Sequence, residues 1–183
     1  IDPNYPLEKA VERIMFVKQF NAGQICTTVD YVFVHQQQIE DFVAATKTWV
    51  GKHCPDIASD DYTAIIDERA FVRLKETIAD AKEKGATIVN LSGQEAHDQT
   101  RKFPITLVLN ATEDMIISSR ETFGPILLVK TYQEPSDVIE QVCCMSRPLA
   151  LYPFTKNKQL SDLYIERIMS GGVTVNDALF HVG

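Results

Sequence analysis

A near-continuous apolar run from Val29 to His35 is the feature that most constrains the fold of this chain. It is rich in β-branched and aromatic side chains, a composition typical of a β-strand. A strand with one face in water would alternate apolar and polar residues, whereas this run is apolar at most positions. It therefore predicts a strand covered on both faces, as in a parallel sheet. A second strongly apolar run, Ile126 to Tyr132, predicts another strand.

Segments with apolar residues at helical spacing alternate with such strands along the chain. Helices are predicted over about 6–20, 38–52, 68–84, 136–145 and 157–169, and further strands over 87–91, 103–109, 149–155 and 173–175. Ser136 is expected to cap the fourth helix, and Pro153 to make the strand around it an edge or distorted strand. This alternation predicts an α/β fold, with a mostly parallel sheet and helices on both faces in three layers. No repeat or linker divides residues 1–183, so we expect one domain.

The segment Phe20–Thr28 joins the first helix to the strand that follows and contains a cysteine, Cys26. Gly23 permits a tight turn, and the amides of Asn21 and Gln24 can hold a loop from within. A cysteine held in place on a polar loop is the setting that a nucleophilic thiol requires. The competing interpretation is an inert, buried thiol, which is the commoner fate of a free cysteine.

Two motifs in this order resemble those of the aldehyde dehydrogenase superfamily. Asn-x-Gly-Gln-x-Cys at 21–26 resembles its nucleophile motif, and Glu-x-Phe-Gly-Pro at 121–125 resembles a second family motif. The whole chain is similar to the catalytic domain of that family, most of all to the class-3-like branch that includes coniferyl aldehyde dehydrogenases. Further segments support that branch: Asp2–Asn4, Pro148–Tyr152 and Ser170–Asp177.

The resemblance implies oxidation of an aldehyde to a carboxylic acid with NAD or NADP. Cys26 would attack the aldehyde carbon to give a thiohemiacetal, with the oxyanion held by the backbone N–H of Cys26 and by an asparagine side chain. Hydride loss would leave a thioester, which an activated water would hydrolyse. Glu121 resembles the glutamate that binds the nicotinamide ribose, and Phe123 the aromatic residue near the nicotinamide ring.

Other residues of the two regions are predicted to support the site or to line the substrate pocket. The set comprises Asn21, Ile25, Thr27, Asn176 and His181. Within it, Asn21 is expected to brace its loop and Asn176 to be structural.

The resemblance also implies that the chain is a fragment of a longer protein. The family's Glu-Leu-Gly-Gly motif, which carries the general base, does not occur here, and neither the oxyanion asparagine nor the NAD-binding domain is recognisable. We expect the isolated chain to be inactive and to self-associate through surfaces meant for the missing domain, and the parent protein to be a homo-oligomer. No metal site is expected.

Charge and composition exclude other classes of protein. The net charge of -7 argues against nucleic acid or an anionic membrane surface as partner, and no apolar run approaches the ~20 residues of a membrane span. The four cysteines fit neither a zinc site nor a disulfide framework, so a cytoplasmic setting is expected. Two alternatives stay open: a cysteine hydrolase, which needs a histidine beside the thiol, and a binding or assembly domain that has kept the fold without catalysis.

Overall fold

A computed structural model describes residues 1–179 as an α/β structure. Its helices are α1 (Leu7–Gln19), α2 (Ile39–His53), α3 (Glu68–Glu83), α4 (Ile116–Ser119), α5 (Pro135–Cys144) and α6 (Lys158–Arg167). Its strands are β1 (Tyr31–His35), β2 (Thr87–Asn90), β3 (Thr106–Leu109), β4 (Ile126–Tyr132), β5 (Ala150–Leu151) and β6 (Gly172–Val173). Two 3₁₀ turns, Phe20–Gly23 and Gln36–Gln38, follow α1 and β1.

Four strands form the main sheet in the order β1-β4-β3-β2. β4 pairs parallel with both β1 and β3, whereas β2 pairs antiparallel with β3. The connection from β2 to β3 contains no helix, and a parallel pairing would need a crossover long enough to reverse the chain. The predicted, mostly parallel α/β sheet is thus confirmed, with one antiparallel strand at its edge.

Helices cover both faces of this sheet, as predicted. Val34, Leu107 and Leu127 point to one face and form a core with α1 and α2. Alternate residues such as Val108 and Leu128 point to the other face and pack with α3. α5 and α6 close the same face beside β1 through a smaller cluster. The apolar character of β1 and β4 follows from this burial on both sides.

The start of α5 corrects the predicted cap. The helix begins at Pro135, and its N-cap is Glu134, not Ser136. The Glu134 side chain accepts from the backbone of the first turn, while Asp137 accepts from the Glu134 N–H at 2.8 Å. This reciprocal pair satisfies two free N–H groups, and proline at the first helical position has none to satisfy.

The last two predicted strands were too long and belong to a separate sheet. β5 and β6 contain two residues each and pair parallel with one another only. Pro153 has no N–H for a sheet ladder, and the Thr155 N–H donates to the side chain of Asn176 at 2.8 Å. Regular pairing therefore ends soon after Leu151.

A cleft of about 1070 Å³ separates β1, at the edge of the main sheet, from the β5 segment. The loop before β1 and the loop before β4 both reach it. The fold thus brings the loops that precede β1 and β4 to one cleft. Within residues 1–179, no helix is long and apolar enough to cross a membrane.

Candidate active site

The loop that carries Cys26 begins with three successive residues in the left-handed region. Their φ angles are 52° at Asn21, 52° at Ala22 and 69° at Gly23. Glycine and asparagine adopt this conformation readily, but alanine does so at a cost of about 1–2 kcal/mol. Ala22 is buried, so packing holds it in this strained conformation. The segment ends α1 and leads to Cys26, which is exposed.

Gln24 fastens this loop to a neighbouring segment. Its side-chain amide donates to the carbonyls of Asn21 at 3.0 Å and Ala64 at 3.1 Å, and its side-chain oxygen accepts from the Ile66 N–H at 2.9 Å. The amide of Asn21 donates in turn to the Gln24 carbonyl at 3.1 Å. Asn21 and Gln24 therefore brace the loop from within, as their residue types suggest.

The cysteine loop touches the second motif directly, at two glycines. A Cβ atom on Gly23 would lie 2.4 Å from the carbonyl oxygen of Gly124, closer than real Cβ atoms approach any atom. Lys18 of α1, which is completely buried, donates from Nζ to the same carbonyl at 3.2 Å. Burial lowers the pKa of Lys18 to about 8, although the carboxylates of Asp30 and Glu121 oppose this shift. The two motifs, far apart in the sequence, are thus in van der Waals contact.

The loop from Glu121 to Gly124 is held by polar groups on both sides. Arg73 of α3 donates from Nη1 to the Thr122 carbonyl at 2.7 Å. Asp30 accepts from the Thr122 N–H at 3.0 Å and from its hydroxyl at 2.6 Å. Partial burial and the Asp30 carboxylate raise the pKa of Glu121, while Arg73 and Lys18 act in the opposite direction.

Cys26, Thr27 and Glu121 line the same cleft. The hydroxyl of Tyr152 donates to the Thr27 carbonyl at 2.8 Å and so ties the cysteine loop to the opposite wall. An exposed thiol and a carboxylate that line one cleft can both contact a small molecule bound there.

The other predicted site residues lie outside the lining of this cleft. Ile25 is half-buried, and Asn21 and Phe123 are exposed on the two loops. Asn176, at a φ of 64°, accepts from the Thr155 N–H and donates its own N–H to Pro153 O at 2.8 Å. These contacts brace the segment around Pro153, and the role of Asn176 in the site stays a prediction. His181 lies outside the described residues.

Three residues that hold the two loops were not singled out from the sequence. Of the three, Lys18 is the residue that the sequence could have indicated, because it follows Val11 and Ile14 at helical spacing on the buried face of α1. A lysine on such a face demands a specific partner. Asp30 and Arg73 give no comparable signal, since a charge beside a strand or on an amphipathic helix is ordinarily solvated.

The described histidines make their contacts with residues other than Cys26, which bears on the hydrolase alternative. His35 packs against Tyr132, His53 stacks on Trp49, and His97 pairs with Lys102 in an isolated bridge. None of these three lines the cleft that Cys26 lines. Residues 1–179 also contain no group of three or more His, Cys, Asp or Glu placed to hold a metal ion.

Comparisons with known proteins agree on one family. The sequence pattern of the aldehyde dehydrogenase family matches residues 1–182. A probable coniferyl aldehyde dehydrogenase of Pseudomonas aeruginosa is 42% identical over 183 residues, which is all of this chain and 38% of that protein.

Solved structures show the same fold. The substrate-bound state of Staphylococcus aureus AldH superposes with a TM-score of 0.91 at 30% identity, over 99% of this chain and 39% of that one. An NADP-dependent enzyme of E. coli superposes with a TM-score of 0.84 at 26% identity, over 97% and 37%. The chain thus spans less than half the length of the relatives it matches.

Proposed function

The chain belongs to the aldehyde dehydrogenase family, and on that premise we propose that the whole protein oxidises an aldehyde to the carboxylic acid with NAD or NADP. The observation that carries this proposal is the shared cleft of Cys26 and Glu121. The two loops that bear them are in contact through Gly23 and Gly124. A nucleophile and a cofactor-binding carboxylate that line one cleft allow a substrate carbon bound to Sγ to face the nicotinamide of a cofactor held in the same cleft.

Cys26 is the proposed nucleophile. Its Sγ attacks the aldehyde carbon, and we expect the backbone N–H of the same residue to donate to the oxyanion that forms. Loss of hydride from the thiohemiacetal carbon leaves an acyl group bound to Sγ as a thioester. Water then cleaves the C–S bond, which releases the acid and restores the thiol. The Tyr152 and Gln24 bonds hold the loop while this happens.

Glu121 and Phe123 fit a nicotinamide dinucleotide. The exposed Glu121 carboxylate can accept two hydroxyl hydrogen bonds from a ribose. Phe123 is 37% exposed and presents an aromatic ring two residues away. The dinucleotide supplies, when bound, the acceptor for the hydride.

An aromatic aldehyde is the proposed substrate class. The cleft that Cys26 lines is also lined by the aromatic side chains of Tyr31, Phe33 and Tyr152. Aromatic side chains can receive an aromatic ring by stacking. The coniferyl aldehyde dehydrogenase relative supports this assignment.

The test uses the whole protein with coniferyl aldehyde, NAD and NADP, and follows absorbance of the reduced cofactor. We expect Cys26→Ala to lower kcat by about 10³-fold or more, because the covalent step is lost, whereas Cys143→Ala, which changes an exposed thiol on α5, leaves it unchanged. The isolated chain of 183 residues should give no turnover. Wild-type turnover in the Cys26→Ala protein would refute the proposal, and an inactive wild type that still binds NAD would favour the binding-domain alternative.

A further inference from the structure

Phe123 has a backbone conformation that its side chain disfavours. Its φ of 42° lies in the left-handed region, which bulky residues rarely adopt because Cβ approaches the carbonyl oxygen. A residue stays in this region only where its surroundings determine its conformation. The groups that surround this loop therefore decide whether Phe123 and Glu121 keep their positions.

Arg73 contacts the backbone on both sides of the strained residue. Its guanidinium donates to three successive carbonyls, those of Glu121 at 3.4 Å, Thr122 at 2.7 Å and Phe123 at 3.3 Å. Three carbonyls that converge on one cation require a curled backbone, and a planar fork with five N–H groups suits such an array. An extended loop would separate these carbonyls and lose the bonds.

The same helix supports the loop by packing. A Cβ on Gly124 would lie 2.6 Å from a methyl group of Leu74, the residue after Arg73. α3 therefore meets the loop through a completely buried leucine and a half-buried arginine at adjacent positions. The packing sets the distance between helix and loop, and the guanidinium sets the direction of the carbonyls.

We propose that Arg73 is a positioning residue for the nicotinamide cofactor, acting through the backbone of Glu121–Phe123 and not by contact with the cofactor itself. This inference rests on the proposed function of Glu121 and Phe123. Arg73 belongs to neither motif, and its bonds go to backbone carbonyls, so it orders the loop without replacing either side chain.

The test compares three substitutions in the whole protein. Arg73→Gln removes the charge and the fork, Arg73→Lys keeps the charge alone, and Arg69→Gln is the matched control, an exposed arginine one turn earlier on α3. We expect the KM and the calorimetric Kd for the cofactor to rise about tenfold in Arg73→Gln, less in Arg73→Lys, and not in Arg69→Gln. The KM for aldehyde and the alkylation rate of Cys26 should stay within about twofold, because the bonds of Gln24 and Tyr152 hold the cysteine loop without Arg73. Wild-type cofactor affinity in Arg73→Gln would overturn the inference.

A second measurement needs no cofactor. Amide hydrogen exchange over residues 120–125 of this chain should be at least about tenfold faster in Arg73→Gln than in Arg69→Gln. Equal exchange in the two variants would overturn the positioning role whatever the enzyme does. If the wild type binds neither NAD nor NADP, the proposed function fails, and the cofactor part of the inference with it. Faster exchange in Arg73→Gln would still establish Arg73 as the group that holds the loop.

Discussion

The substitution Gly23→Ala tests the contact on which the two-loop site depends. The new methyl carbon would lie 2.4 Å from the Gly124 oxygen, 2.8 Å from its carbonyl carbon and 3.2 Å from Cδ of Lys18. Two of these atoms are backbone, so the loops must separate or tilt to admit it. The residue also sits at a φ of 69°.

The expected loss of stability has two parts. A non-glycine residue in the left-handed region costs about 1–2 kcal/mol, and overpacking against rigid neighbours adds about 1–3 kcal/mol. We therefore expect Gly23→Ala to lower the free energy of unfolding by about 2–5 kcal/mol. That is a large fraction of the stability of a domain of this size.

Two further glycines separate these parts. Gly85 has a φ of 94° with no atom within 4 Å of a built Cβ, so Gly85→Ala reports backbone strain alone. Gly51 lies within α2, also in open space, and Gly51→Ala should stabilise the chain by up to about 1 kcal/mol. Urea unfolding followed by fluorescence of Trp49, the one tryptophan, measures all three. If Gly23→Ala costs no more than Gly85→Ala, the close approach of the loops is not as described.

Two other predictions concern the thiols and the buried lysine. Brief alkylation at pH 8 followed by peptide mass mapping should label Cys26 first and leave Cys54 unlabelled. Cys54 is buried, and burial raises its pKa to about 11. Labelling mainly at Cys54 would contradict the exposure of Cys26 on its loop. For Lys18, burial lowers the pKa from 10.5 to about 8, so the folded chain binds fewer protons than the unfolded chain between these values. The stability of the wild type relative to Lys18→Met should therefore increase by roughly 3 kcal/mol from pH 8 to 10.5; unfolding curves that give a constant difference would exclude a lysine of lowered pKa.

Most of the main sheet could be predicted from the sequence by its pattern of apolar residues. β1 and β4 were predicted because both of their faces are buried, so that apolar residues occupy most positions of each strand. β5 and β6 carry no such signal, since two-residue strands are too short for a period to appear. The cap of α5 was misplaced because serine is a good cap by type, whereas the structure uses a reciprocal pair, Glu134 and Asp137, that depends on three-dimensional fit.

The candidate site divides in the same way. Motifs identified Cys26 and Glu121 by resemblance, and the fold places them on one cleft. The contacts of Arg73 could not be predicted from the sequence. Its partners are backbone carbonyls 48 to 50 residues away, and every residue has a backbone carbonyl whatever its type. Self-association of the chain stays a prediction, and the exposed Leu149 and Met169 are side chains that it would cover.

The bond from Lys18 to Gly124 joins groups 106 residues apart, and this separation has a consequence for biosynthesis. Contacts of such long range form late, because the entropy of closing a large loop must first be offset by other contacts. During translation at ~5–20 residues per second, Cys26 leaves the ribosome about 5–20 s before its partner loop does. For that interval the cysteine is an ordinary thiol on a nascent chain, and it acquires its fixed setting only when β4 joins β1.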